Sequence, residues 1–236
     1  MQFTSWRHAL VDGLAVLVGI LTAFGIQAYW DVRQEREAVV AQLGALATEV
    51  VEVQARMRAH IEALRIHDDL IREILELATA PEGDVARLDT LVFGLGPFVP
   101  YEPALPALRG LEARGLGAVE SDRLRAAVLA FAQALDNDLD EQSSYSEYWR
   151  GDVAPYWDDL FDIRQWLDLA PSEFLAIEPM PPDLPRLDMP VRHREILQDR
   201  RFLNQLSRRI IRSWRVKLFH HTVLDRAAEL SEALAS

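Results

Sequence analysis

Apolar residues run almost unbroken from Ala9 to Trp30, ALVDGLAVLVGILTAFGIQAYW, a stretch of twenty-two residues in which Asp12 is the one charge. A helix rising about 1.5 Å per residue crosses a hydrocarbon core of about 30 Å with roughly twenty such residues. Trp6 precedes the run, and Tyr29 and Trp30 close it at the depth where amphipathic rings settle; Arg7 and Arg33 bracket it. The pattern predicts a transmembrane anchor over residues 1–30. A cleaved signal peptide fits less well, because the leader holds one arginine and no A-x-A site precedes Tyr29. A buried soluble helix is the third reading.

After Asp31 the period changes. Val39, Leu43, Leu46, Val50, Val53 and Met57 alternate by three and four, a heptad-like seam. It slips between Met57 and Ile61, then resumes at Leu64, Ile71, Ile74 and Ala78. This predicts a stalk helix over 31–80, about 75 Å long by helix rise, stopping at Ala80-Pro81-Glu82-Gly83-Asp84. Residues 81–236 read as a helical bundle. Asp84 caps a short helix through Phe93, a second short helix covers Leu105 to Arg114, and Ser121-Asp122 opens a longer one. That one carries Leu124, Val128, Phe131 and Leu135 on one face and persists to Asp168, with a bend at Gly151 to Pro155. The last helix runs from Arg200 to Leu234, with Asp199 as its cap. Proline-rich loops occupy 94–106 and 170–191. No strand or internal repeat stands out, so the expected fold is all-α: one N-terminal transmembrane helix continuing into a long stalk helix, then an antiparallel helical bundle.

Composition narrows the function classes. A net charge of −12 argues against nucleic-acid binding, which needs a basic surface. The absence of cysteine excludes disulfides, thiolate zinc sites and a cysteine nucleophile. Charge is uneven: ten acids lie between Asp136 and Asp168, and nine of the twenty-five basic residues between Arg192 and Lys217. The two segments are expected to pack as antiparallel neighbours, exchanging ion pairs at the helix surfaces.

Projected at about 100° per residue, Asp12, Ala15, Gly19, Ala23, Gln27 and Trp30 share one stripe of the anchor. Ala15, Gly19 and Ala23 make the small-xxx-small spacing that lets helix backbones approach closely, and polar groups in lipid normally face protein. The stripe predicts contact with another transmembrane helix, from a second copy or from a membrane-protein partner. In the bundle, Tyr145, Tyr148, Trp149, Tyr156 and Trp157 form the densest aromatic group, read as core with a partner groove as the functional alternative.

Enzyme motifs are missing. Asp136, Asp138, Asp140 and Glu147 have the acid spacing of a calcium loop, but Glu141 occupies the position that needs glycine, and a solvated helix face is expected instead. His220 and His221 are adjacent and His60 and His67 seven apart, both poor metal spacings. No HExxH, P-loop, GxGxxG or GxSxG occurs. No catalytic residue, cofactor or metal is expected.

The segment Val18-Gly19-Ile20-Leu21-Thr22-Ala23-Phe24-Gly25-Ile26-Gln27-Ala28-Tyr29-Trp30-Asp31, followed by Arg33, Glu35, Arg36 and Leu43, resembles the start of a family of uncharacterised single-span bacterial inner-membrane proteins. In that family an ILLAFGIDAWW-like segment leads into a charged helix. Leu105 to Leu111 and the stretch LQDRRFLNQL, Leu197 to Leu206, are similar to later parts of it. Gln27 and Thr22 depart from the family's usual acid and aliphatic. The resemblance implies a bacterial inner-membrane anchor with a periplasmic helical domain, and no assigned activity. The resulting expectation is a single-span interaction or scaffolding protein whose partners are the lipid bilayer and a second copy or membrane protein. A sensory domain acting through a separate membrane partner, and a small oligomeric pore lined by the Asp12–Gln27 face, are the alternatives.

Overall fold

A computed structural model of the protein describes residues 5–79, 85–119, 121–161 and 193–235, with side chains throughout except at 5–16, 86 and 118. The 170–191 loop, the stretch 162–168 of the expected long helix and the Asp84 cap lie outside the described residues.

Helix α1, Ser5–Thr79, is continuous, and its two ends have different surroundings. Leu17, Val18, Ile20, Leu21, Phe24, Ile26, Tyr29 and Trp30 are exposed around its circumference, with Phe24 68% accessible. By length and composition the helix can cross a membrane. From Val39 onward burial is one-sided: Leu46, Val50, Val53, Met57, Leu64, Ile71 and Ile74 are sealed, while Val40, Val51 and Ile66 face solvent. The expected stalk over 31–80 is therefore a wall of the bundle for most of its length. A three-four seam states only that one face must be covered. Here other helices of the same chain cover it, and only residues 31–37 are exposed on every side.

A 3₁₀ turn, Val85–Arg87, leads into α2, Leu88–Leu95. The helix ends at Leu95, two residues beyond the expected Phe93, with Gly96 (φ 47°) as its C-cap. Gly94 allows this, because a Cβ there would stand 3.2 Å from the Leu70 side chain, so α2 lies close against α1. Helix α3, Pro106–Arg114, stops at Gly115 (φ 79°). Its first turn is capped from another helix: Glu49 of α1 accepts the Ala107 N–H at 2.7 Å and the Leu108 N–H at 3.3 Å.

Helix α4, Asp122–Tyr148, starts where Ser121 accepts the Leu124 N–H at 3.2 Å. A π-helical turn, Trp149–Val153, then bends the chain into α5, Ala154–Leu160, at the place Gly151 and Pro155 predict. Gln205 satisfies a carbonyl of that turn, its Nε2 donating to Asp152 O at 2.7 Å. Helix α6, His193–Gln198, precedes α7, Arg200–Ala235. Asp199 caps α7 by accepting the Arg201 N–H at 2.7 Å.

Helix α7 is the hub. It packs most extensively on α4 and next on α1, while α2 and α3 lie on α1. It is antiparallel to both long neighbours, since His220 meets His60 and Asp138 while Lys217 meets Asp68 and Arg215 meets Glu141. Among the described residues there is no strand, and the fold is all-α, as expected.

Packing divides the interior into two apolar clusters. One joins Val39 to Met57 of α1 with α3, the first half of α4 and the end of α7. The other joins Leu64 to Ile74 with α2, Tyr145, Trp157, α6 and the start of α7. The acid-rich and arginine-rich segments do pack together, with Arg215 on Glu141 at 2.6 Å and Arg212 on Ser144. Arg209 departs from the expected surface role: it is fully buried, its guanidinium 4.3 Å from the Trp149 ring centroid and 5.3 Å from that of Trp157. Its Nη2 donates to the Leu95 and Gly96 carbonyls at the end of α2, where the helix dipole favours a cation.

Candidate functional site

Between the two apolar clusters runs a belt of buried polar side chains. Asp68 of α1, Asp138, Glu141 and Gln142 of α4, and His220 of α7 are all buried, and His60 lies beside them. Each holds a place in a seam where an apolar residue would fit. His60 falls between Met57 and Leu64, Asp138 between Leu135 and Tyr145, and His220 between Val216 and Val223. The slip in the α1 pattern at 57–61 marks this belt.

Its centre is a hydrogen-bonded row. Gln142 Nε2 donates to Asp138 Oδ2 at 2.7 Å, and Asp138 Oδ1 faces His220 Nδ1 at 2.6 Å. On the other side of the ring, His220 Nε2 faces His60 Nδ1 at 2.9 Å. His60 also makes a backbone hydrogen bond with Val99, which leaves its Nε2 as the donor to that carbonyl. The row thus links Gln142, Asp138, His220 and His60 in one continuous chain of hydrogen bonds across three helices. Asp138 is buried with both oxygens hydrogen-bonded, which meets the condition for burying a polar group. Burial above all, with the neighbouring His220 adding to it and Asp138 partly opposing, pushes His60 down to about 4.

Gln142 also secures the loop that follows α2. Its Oε1 accepts the Tyr101 N–H at 2.6 Å and its Nε2 donates to the Tyr101 carbonyl at 3.2 Å. Phe98 of the same loop stacks on Tyr145 at 4.3 Å between centroids and on His60 at 5.8 Å. Between this loop and α1 lies a cavity of about 370 Å³, lined by Arg56, His60, Ala63, Leu64 and His67 on one side and Pro97 to Tyr101 on the other. The volume falls in the range of small-molecule sites. His67 is held below its ordinary value, chiefly by burial and then by the charge of Arg209. Among the lining residues there is no serine, threonine or carboxylate for His60 to activate.

The residues singled out from the sequence fare differently. Gly19, Ala23, Gln27 and Trp30 are exposed along α1, and Gln27 reaches Asp31 within the same helix at 3.4 Å. The side chains of Asp12 and Ala15 lie outside the described residues. Tyr145, Tyr148 and Trp157 are buried in the second cluster rather than lining a groove. Trp149 and Tyr156 pack against that cluster, Trp157 Nε1 donates to Gln205 at 3.1 Å, and the Tyr156 hydroxyl donates to Asp199. Among the described residues these rings pack as core, with Trp149 and Tyr156 half-buried at its edge. Asp138 and Glu141, expected on a solvated face, are interior because His220 and Arg215 come to meet them. The acids from Asp136 to Glu147 lie on an unbroken helix, so their oxygens do not converge as a calcium loop requires. Among the described residues no group of three or more His, Cys, Asp or Glu could hold a metal ion.

No family model, curated protein or solved structure matches the chain.

Proposed function

We propose that this chain is a single-pass, membrane-anchored interaction protein, non-enzymatic, whose extracytoplasmic bundle is carried on a helix that pairs with another helix in the bilayer. One observation carries the reading: α1 is apolar and exposed on every side from Leu17 to Trp30, then one-sided and buried from Val39 within the same unbroken helix. A helix apolar all round needs lipid or protein around it, and nothing among the described residues covers this part. Thr22 Oγ1 donates to the Val18 carbonyl at 2.8 Å, the way a hydroxyl is satisfied within a spanning helix. The resemblance to single-span inner-membrane proteins supports the bacterial inner membrane and a periplasmic bundle.

Alkaline extraction of membranes tests the anchor: the full chain should stay in the pellet, and release into the supernatant would end the proposal. Because the chain has no cysteine, a single Asp136→Cys variant reports orientation by its labelling with an impermeant maleimide in intact spheroplasts. Gly19→Ile should weaken self-association in a transmembrane reporter assay, since a branched side chain keeps the backbones apart. A second reading, a sensor acting through a membrane partner, is favoured by the cavity being built against α1 itself.

A further inference from the structure

We propose that the cavity between α1 and the 97–101 loop binds a small apolar monoanion, its carboxylate paired with the Arg56 guanidinium at the open side. The inference is independent of whether α1 crosses a bilayer. Ala63, Leu64, Pro97, Phe98 and Pro100 supply an apolar wall suited to a ring or short chain. The polar lining is one-sided in chemistry: Arg56, His67 and Tyr101 carry N–H or O–H donors, His60 has both nitrogens committed to Val99 and His220, and no carboxylate is among the described lining residues. Arg56 is committed elsewhere only weakly. Its contact with Glu52 is 3.4 Å long, and both side chains are 65% exposed, so the pair contributes little and exchanges readily. A ligand carboxylate offers the planar fork of guanidinium a two-bond match that the long Glu52 contact does not.

The charge of the ligand follows from the histidines. Both imidazoles are held below their ordinary value by burial, so near neutral pH they contribute dipoles and Arg56 alone contributes charge. One negative charge is matched; a second would be uncompensated, and a cation is repelled. The walls are also set in advance. Gln142 fixes Tyr101 through two backbone hydrogen bonds, Phe98 is stacked between His60 and Tyr145, and Pro97 and Pro100 restrict the loop. Little ordering remains for the ligand to impose.

The test uses the full chain in lipid nanodiscs, with binding to empty nanodiscs subtracted, and 2-naphthoate as the probe. Calorimetry should show saturable binding of 2-naphthoate about tenfold tighter than that of the neutral 2-naphthalenemethanol, the worth of one charge-assisted pair. Arg56→Met, at an exposed position, should remove that preference while leaving the alcohol unchanged. Ala63→Trp, also exposed, should fill the cavity and abolish binding of both. The proposal is overturned if acid and alcohol bind alike, if Ala63→Trp binds 2-naphthoate as the parent does, or if no saturable binding appears up to several millimolar.

Discussion

His220 Nε2 lies 2.9 Å from His60 Nδ1, joining α7 to α1 at the level where both helices interrupt their apolar seams. The contact makes one ring the base of the other. Asp138 takes the other nitrogen of His220, and burial keeps His60 neutral near neutral pH with its second nitrogen committed to Val99.

That neutrality gives stability a pH dependence of definite sign. The unfolded chain protonates His60 near 6.5, but the folded chain resists protonation until about 4. Above 6.5 both states are neutral and the group contributes nothing; below it the unfolded state binds more protons, and stability falls down to about 4. His67, lowered by burial and by Arg209, adds in the same direction. The melting temperature of the full chain should therefore be flat at mildly alkaline pH and fall between pH 6.5 and 4. His60→Gln, which keeps an acceptor for His220 and a donor for Val99, should flatten part of that slope. An unaltered slope would show that His60 does not control it.

Removing one member of the buried pair should cost more than removing both. Asp138→Ala leaves the buried His220 Nδ1 and the Gln142 amide without their partner, a loss of about 3–5 kcal/mol. Asp138→Leu combined with His220→Leu replaces the pair by apolar bulk and should recover much of it. Urea unfolding followed by tryptophan fluorescence compares the variants. If the double variant is as unstable as Asp138→Ala, specific hydrogen bonding rather than uncompensated charge dominates the belt.

The α3 start should depend on a residue far away in sequence. Glu49→Ala removes the acceptor for two N–H groups of the first turn, an expected loss of about 1 kcal/mol. Hydrogen exchange at Ala107 and Leu108 should accelerate together, ahead of exchange in α4. Glu49→Gln keeps an oxygen but loses the attraction to the helix dipole, and should fall between the two.

Much of this architecture is legible in periodicity, because one-sided burial writes itself into spacing. The α1 seam, the Ser121 and Asp199 caps and the bend near Pro155 all rest on local rules, and all are observed. What covers the seam is not local. The heptad-like pattern fits an exposed coiled stalk as well as a bundle wall, and only the antiparallel return of α7 decides between them. The polar belt escapes local rules for the same reason. Asp138 looks solvated when α4 is taken alone, and becomes interior because His220, 82 positions later, arrives at the same height. The one trace left in the sequence is the pause in apolar spacing at His60. Arg209 left none: its partners are carbonyls and indole faces, which no charge pattern records.

The antiparallel course of α7 brings the tail of the polypeptide back toward its beginning. Ala233 and Leu230 share the cluster that contains Val39, the first sealed position of α1. Val39 follows Trp30 by nine residues, about 13 Å of helix. With α1 inserted as proposed, the carboxyl end hovers just above the headgroups, while the far tip carrying α2 and α6 projects into the aqueous phase. A reporter fused behind Ser236 would thus sample the lipid surface, and solutes reaching the Arg56 cavity would arrive from water rather than by lateral diffusion through the bilayer.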